Sequence, residues 1–80
     1  MHEVTAPMPG TFYRRPDPDS DPYVEQGDTV SSDDTVGLIE VMKQFSEVKA
    51  GADGVIDEIS ADDESSVKAG ATLVTIDTDG

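Results

Sequence analysis

The side chain best suited to chemistry in this 80-residue chain is the amine of Lys43, which ends the run Glu40-Val41-Met42-Lys43. The chain has only three lysines against 18 acidic residues, so each lysine stands out. A lysine amine can be acylated to an amide, which is how a protein holds a prosthetic group that carries a carboxylate. Such an amine must be exposed and held in a fixed place, so the elements around Lys43 decide whether it can serve.

The chain contains an internal repeat that places Lys43 at a turn. A shift of 37 residues aligns residues 30–40 with residues 67–77, and five positions then agree in kind: Val30 with Val67, Thr35 with Thr72, Val36 with Leu73, Ile39 with Ile76 and Glu40 with Asp77. Under the same shift Met42 and Lys43 lie over Asp79 and Gly80, and Asp-Gly is a strong hairpin-turn signal. The repeat therefore predicts that Lys43 lies at the tip of a β-hairpin.

The repeat also locates an insertion in the first half. Gly10 and its neighbours resemble Gly54 and its neighbours at a shift of 44, so the first half is seven residues longer between Gly10 and Val30. Residues 14–22 of this interval hold three of the five prolines. Proline cannot donate to a strand ladder. We therefore predict a protruding loop at about residues 14–22 rather than another strand.

The hydrophobic pattern predicts strands throughout and no helices. Short apolar runs at residues 11–13, 35–42, 47–48, 54–59 and 71–76 are bounded by Gly, Asp, Ser or Pro. The run from Val36 to Val41 has apolar residues at successive positions, so we expect this strand to be covered on both faces. Two related halves of short strands predict an all-β flattened barrel or sandwich, formed as one domain by residues 1–80.

The net charge of −13 restricts the partners. Nucleic acid is excluded because its phosphates would be repelled, and no apolar stretch approaches the length that spans a membrane. The chain has no cysteine, which suits the cytoplasm. Aspartate outnumbers glutamate by 12 to 6, and we interpret this excess as adaptation to high salt. The alternative is that small carrier domains are commonly acidic.

The composition argues against a small hydrolytic enzyme. There is no cysteine and a single histidine, His2, so we expect no paired nucleophile and base. We expect His2 to lie in a frayed terminus without a metal site. Residues 17–21 begin like a calcium loop, but Pro22 takes the place of the required glycine and Asp28 that of the final glutamate. We therefore expect no metal.

Three segments resemble the biotinyl domains of the biotin carboxyl carrier subunits of acetyl-CoA carboxylases. Residues 6–14, with the sequence APMPGTFYR, are similar to the opening of these domains. Residues 16–30, with the sequence PDPDSDPYVEQGDTV, resemble the loop called the thumb, which coincides with the insertion found by self-comparison. Glu40-Val41-Met42-Lys43 matches the biotinylation motif, and the one departure is Gln44, where the family more often has Met or Leu.

The resemblance implies a cofactor and partners. Biotin would be attached to Lys43, with Glu40, Val41, Met42 and Gln44 as the recognition context for a biotin protein ligase. The chain would then shuttle a carboxyl group between a biotin carboxylase and a carboxyltransferase, in fatty-acid or related acyl-CoA metabolism. Because the reacting groups belong to the cofactor and to the partner enzymes, the domain would be a carrier rather than an enzyme.

Two other functions fit the same fold. A lipoyl carrier domain has the same two related halves, but it usually has Asp-Lys-Ala at the tip and lacks the proline-rich thumb. An unmodified structural or adaptor module is the second alternative, and Gln44 is the only residue that favours it. The mass of the chain after co-expression with a biotin ligase separates the biotin carrier from the other two.

Several side chains near these motifs have simpler interpretations. Arg14 and Arg15 are expected to form a solvent-facing pair that offsets nearby aspartates. Phe12 and Phe45 are expected to pack in the core or at its rim rather than to contact a ligand. Met42 either contacts the ligase beside the lysine or fills a gap at the end of the barrel. Residues 62–64 are expected to form a solvated turn.

Overall fold

The computed structural model describes residues 1–79 and contains eight β-strands within them. The strands are β1 His2–Thr5, β2 Gly10–Tyr13, β3 Thr29–Val30, β4 Thr35–Val41, β5 Gln44–Lys49, β6 Gly54–Ile59, β7 Ser65–Val67 and β8 Thr72–Asp77. No helix occurs in this part of the chain. Residues 1–79 accordingly contain no helix long and apolar enough to cross a membrane.

The strands form two four-stranded antiparallel sheets that the internal repeat relates to each other. One sheet has the order β1-β8-β6-β3 and the other has the order β5-β4-β2-β7. Exchanging β1 with β5, β2 with β6, β3 with β7 and β4 with β8 converts one order into the other. The two sheets enclose one core, which confirms the predicted all-β flattened barrel or sandwich of two pseudo-symmetric halves.

The pairing register repeats the symmetry at the level of single residues. Gly10 pairs with Val67, and Gly54 pairs with Val30. At both glycines a side chain would collide with the neighbouring strand, because a Cβ on Gly10 would lie 2.6 Å from the carbonyl oxygen of Glu40 and one on Gly54 would meet that of Asp77. The halves therefore use glycine at equivalent positions for the same close approach of two strands.

The core explains why β4 has so few polar residues. Its residues from Val36 to Ile39 are all buried. Leu38 points to the opposite sheet face from Ile39, as neighbours in a strand do, and yet only 8% of it is exposed. The expectation that β4 is covered on both faces is thus confirmed for this stretch. The equivalent strand β8 buries Leu73, Val74 and Ile76 completely.

The structure adds three strands to those predicted and corrects one expectation. β1, β3 and β7 have two to four residues each and follow no long apolar run. The expectation of a frayed end at His2 is wrong, because β1 pairs with β8 and His2 lies opposite Ile76. Gly80, to which the Asp-Gly comparison extended, lies outside the described residues.

Candidate attachment site

Lys43 lies in the two-residue turn that joins β4 to β5. Val41 and Gln44 are opposite each other at the end of the ladder, and Met42 and Lys43 form the connection between them. Both connecting residues have positive φ, 52° at Met42 and 66° at Lys43. Positive φ at both central positions defines a type I′ turn, whose twist matches that of the flanking strands. The structure therefore places Lys43 at a hairpin tip, as the internal repeat predicts.

The tip is exposed to solvent. Met42 is 91% exposed, and Lys43 and Gln44 are also exposed. Met42 therefore does not fill a gap at the end of the barrel, which leaves contact with a modifying or partner enzyme as its remaining interpretation. The amine of Lys43 is accessible to an enzyme that approaches the end of the hairpin.

The strands behind the tip fix its position. β4 lies between β5 and β2, so the hairpin is anchored through one of its strands to the core. On the outer face of this sheet the Tyr13 hydroxyl donates a hydrogen bond of 2.9 Å to Oε1 of Glu40. The rings of Tyr13 and Phe45 lie 5.9 Å apart and tilted by 55°, a favourable aromatic arrangement. Phe45 is 56% exposed and so packs at a rim, whereas Phe12 is fully buried in the core.

The contact with Glu40 perturbs the titration of Tyr13. The hydrogen bond to the Glu40 carboxylate, followed by partial desolvation, raises the pKa of Tyr13 above its ordinary value of 10.0. The phenol therefore keeps its proton and donates a hydrogen bond to Glu40 over the whole physiological range. Glu40 of the tetrapeptide is thus tied to β2 and not only to its own hairpin.

The other two lysines have different surroundings. The ammonium of Lys49 lies 2.7 Å from Oε2 of Glu47 and 3.0 Å from the Thr35 hydroxyl. The hydrogen bond to Glu47 raises the pKa of Lys49, which lowers the fraction of nucleophilic free amine. Lys68 follows β7 and begins the turn into β8, where its carbonyl accepts a hydrogen bond from Ala71. Among residues 1–79, Lys43 is the lysine at the tip of a two-residue hairpin.

The proline-rich insertion forms a closed loop. We call residues 14–22 the thumb. The amide of Tyr23 donates a 2.8 Å hydrogen bond to the carbonyl oxygen of Arg14 and closes the thumb at its base. Within it, Asp17 accepts hydrogen bonds from the Asp19 amide and the Ser20 hydroxyl. The aspartates that resemble a calcium loop are thus partly used to shape a turn, and no cluster of metal-binding side chains was found within residues 1–79.

The thumb also contacts the turn between β6 and β7, which the sequence did not indicate. The Arg14 amide donates to Oδ1 of Asp63 at 2.8 Å, and Arg15 Nε lies 3.4 Å from Oδ2 of the same carboxylate. The expectation of a solvated turn at residues 62–64 is therefore wrong for Asp63, although Asp62 and Glu64 are exposed. The two arginines are partly buried at the thumb base rather than a solvent-facing pair.

Between the thumb and the hairpin sheet lies a cleft of about 560 Å³. Its lining includes Tyr13 and Phe45 from the sheet, Pro16 and Pro18 from the thumb, and Asp63 from the β6–β7 turn. Because Phe45 follows Lys43 by two residues, the cleft adjoins the hairpin that carries the lysine. The insertion thus contributes a wall beside the candidate attachment site.

These features define a class of protein: a small pseudo-symmetric β-domain that presents an exposed lysine at the tip of a two-residue hairpin. Residues 2–76 match the biotin and lipoyl attachment family described as "Biotin-requiring enzyme". The chain belongs to this family. The match confirms the expected family resemblance, and together with the relatives described next it confirms the expectation that the cofactor is biotin.

Individual relatives cover nearly all of the chain. It is 40% identical to the biotin carboxyl carrier protein of acetyl-CoA carboxylase from Chlamydia trachomatis over 73 residues. These residues make up 91% of this chain and 44% of that protein. The protein of the same name from Haemophilus influenzae is 36% identical over 95% of this chain and 49% of its own length. The chloroplastic biotin carboxyl carrier protein of acetyl-CoA carboxylase from Glycine max is 42% identical, and the aligned region covers 91% of this chain and 28% of that protein. The chain therefore spans about half or less of the length of these relatives.

Proposed function

We propose that this chain is a biotin carboxyl carrier domain, formed as one unit by residues 1–80, with biotin attached to Lys43. The observation that carries the proposal is the position of Lys43 in an exposed type I′ turn within Glu40-Val41-Met42-Lys43. The relatives named as carriers of acetyl-CoA carboxylase support the same assignment.

The residues at the tip fit a group held through an amide bond. Among residues 1–79 the ion pairs involve Arg15 and Lys49, so no carboxylate holds the amine of Lys43. A biotin protein ligase would acylate this amine, with Glu40, Val41, Met42 and Gln44 as the surface it recognises. Acylation removes the charge of Lys43 and leaves a long flexible arm on a fixed base.

Bound biotin supplies a ureido ring that accepts and releases a carboxyl group. The chain supplies position: the hairpin fixes the start of the arm, and tethering raises the local concentration of the ring at each partner. The partners are a biotin carboxylase, which carboxylates the ring, and a carboxyltransferase, which passes the carboxyl group to acetyl-CoA or a related acyl-CoA. In this proposal the domain contributes no catalytic residue.

The test is the mass of the chain after incubation with biotin, ATP and a biotin protein ligase, followed by peptide mapping. We expect one biotinyl group on Lys43. Lys43→Arg keeps the charge but removes the primary amine, so it abolishes labelling while the domain stays folded. Lys49→Arg is the matched control and keeps full labelling. Biotin on another lysine, lipoyl rather than biotin when both ligases are present, or no modification at all would overturn the assignment.

We further propose that the acidic surface is an adaptation to a cytoplasm of high salt concentration. Two of the 18 acidic side chains, Glu47 and Asp63, are in ion pairs within residues 1–79. Others are acceptors for backbone amides, such as Asp28 for Glu25 and Asp34 for Ser31. Most of the negative charge is therefore balanced only by solvent cations, which screen it within about 10 Å at 0.1 M salt.

A further inference from the structure

We propose that Asp63 is a positioning residue that holds the thumb in place beside the attachment hairpin. This inference rests on the proposed carrier function for its consequence, but its structural part stands on contacts alone. The thumb leaves β2 after Tyr13, and Asp63 lies 49 positions after Arg14, in the turn between β6 and β7. A single carboxylate thus connects two loops from different halves of the chain.

The two oxygens of Asp63 make different contacts. Oδ1 accepts the backbone hydrogen bond from Arg14 at 2.8 Å, which fixes the first residue of the thumb. Oδ2 lies 3.4 Å from Nε of Arg15, whose Nη1 donates to the carbonyl oxygen of Ser20 on the far side of the thumb. Asp63 therefore contacts the first residue of the thumb through the Arg14 amide, and through its ion pair with Arg15 it is connected to Ser20. The side chains of Arg15 and Asp63 are only 32% and 27% exposed, so solvent screens their attraction incompletely.

The turn that carries Asp63 is itself fixed on β2. The amide of Glu64 donates a 2.7 Å hydrogen bond to the carbonyl oxygen of Phe12, which lies in the core. Glu64 has φ of 61°, a conformation that side chains with a Cβ seldom adopt. The tertiary contact with β2 stabilises this conformation, and it places the preceding residue, Asp63, against the thumb base.

Fixing the thumb has a consequence for the carrier. The thumb and Asp63 line the cleft beside Phe45, next to the hairpin of Lys43. A partner that docks at this end meets an ordered thumb in the wild-type chain. Without Asp63, the partner must order the thumb during docking, which weakens binding without altering the chemistry at the partner's active site. The expected kinetic effect is therefore on KM and not on kcat.

Hydrogen exchange of the 80-residue chain tests the anchor directly. Asp63→Ala removes both acceptors and should speed exchange of the Arg14 amide by about tenfold or more, because a hydrogen bond to a charged group is lost. Asp63→Asn keeps an oxygen for the Arg14 amide but removes the charge opposite Arg15, so its effect should be smaller. Asp62→Ala is the matched control, since Asp62 is an exposed neighbour that contributes its carbonyl oxygen to a contact with Ser65. Unchanged exchange in β4 and β8 verifies that each variant is folded.

The biotinylated variants then test the consequence with a biotin carboxylase as the partner. We expect Asp63→Ala to raise the KM for the carrier roughly two- to tenfold at unchanged kcat, and Asp62→Ala to match the wild-type chain. Arg15→Gln should reproduce Asp63→Asn, and the double variant should show no further loss. Unaltered Arg14 exchange in Asp63→Ala, or an unchanged KM, would overturn the proposal. Failure of the carrier assignment has a different signature, because wild-type Lys43 would then not be biotinylated.

Discussion

The hairpin of Lys43 contains a turn that its own residues disfavour, and replacing these residues should stabilise the domain. Met42 and Lys43 both have left-handed backbone conformations, with φ of 52° and 66°. A type I′ turn is best formed by Asn-Gly, because Asn tolerates this region and Gly has no Cβ to collide with the backbone. We therefore expect Met42→Asn and Lys43→Gly each to raise the free energy of unfolding.

The magnitude follows from the backbone and not from lost contacts. Met42 is 91% exposed and Lys43 is also exposed, so shortening either side chain removes little buried surface. A left-handed residue with a Cβ costs about 1–2 kcal/mol. Glycine recovers this cost but loses about 0.5–1 kcal/mol to the greater entropy of the unfolded chain. The net gain for Lys43→Gly is about 1 kcal/mol, which for a domain of this size raises Tm by about 4–8 °C.

Urea unfolding measures the effect, with a rise in midpoint at constant m indicating a change in stability alone. Gln44→Gly is the matched control, because Gln44 lies in β5 opposite Val41 and outside the set of positive-φ residues. Glycine there should lower the stability by about 0.5–1 kcal/mol. If Lys43→Gly leaves the stability unchanged or lowers it as Gln44→Gly does, the reasoning about turn strain is wrong. Lys43→Gly also removes the amine that carries biotin in the proposed function. The proposed function therefore explains why a lysine, and not the more stable glycine, occupies this strained position.

Three further outcomes are expected. Because most of the acidic side chains have no cationic partner within residues 1–79, Tm should rise from low to molar potassium chloride, and a flat or falling Tm would contradict the high-salt interpretation. Replacing residues 16–21 by a short Gly-containing turn should leave a folded, biotinylatable domain with slower carboxyl transfer, whereas global unfolding would show that the thumb belongs to the core. In an ultraviolet titration of tyrosinate, Glu40→Gln should lower the pKa of Tyr13, and Tyr23→Phe should leave it unchanged. The hydrogen bond that Tyr13 donates stabilises the fold below pH 10.0 and is lost as pH rises through the raised pKa.

The candidate site could be predicted from the sequence because it depends on local and repeated features. The tetrapeptide ending at Lys43 is contiguous, and the internal repeat supplies the turn without any knowledge of long-range contacts. The same repeat predicted equivalent strands and the longer first half. The structure shows the same equivalence of the two halves, because Gly10 and Gly54 each lie where two neighbouring strands approach closely.

The short strands and the thumb anchor could not be predicted in the same way. β1, β3 and β7 have two to four residues and exist because a longer strand beside them offers hydrogen-bonding partners. An acidic run such as residues 62–64 predicts a solvated turn in any sequence, because no neighbouring residue indicates that Asp63 accepts a hydrogen bond from the Arg14 amide.

The sequence by itself determined the strand class, the repeat, the insertion and the lysine at the tip, because these depend on residue type and on spacing within a short window. Only the tertiary structure decided that Met42 faces solvent, that Tyr13 donates a hydrogen bond to Glu40 and that Asp63 accepts one from the Arg14 amide. These contacts join residues 27 to 49 positions apart or depend on what covers each face of a sheet. Residues so far apart in the sequence come into contact only when both sheets pack on the common core.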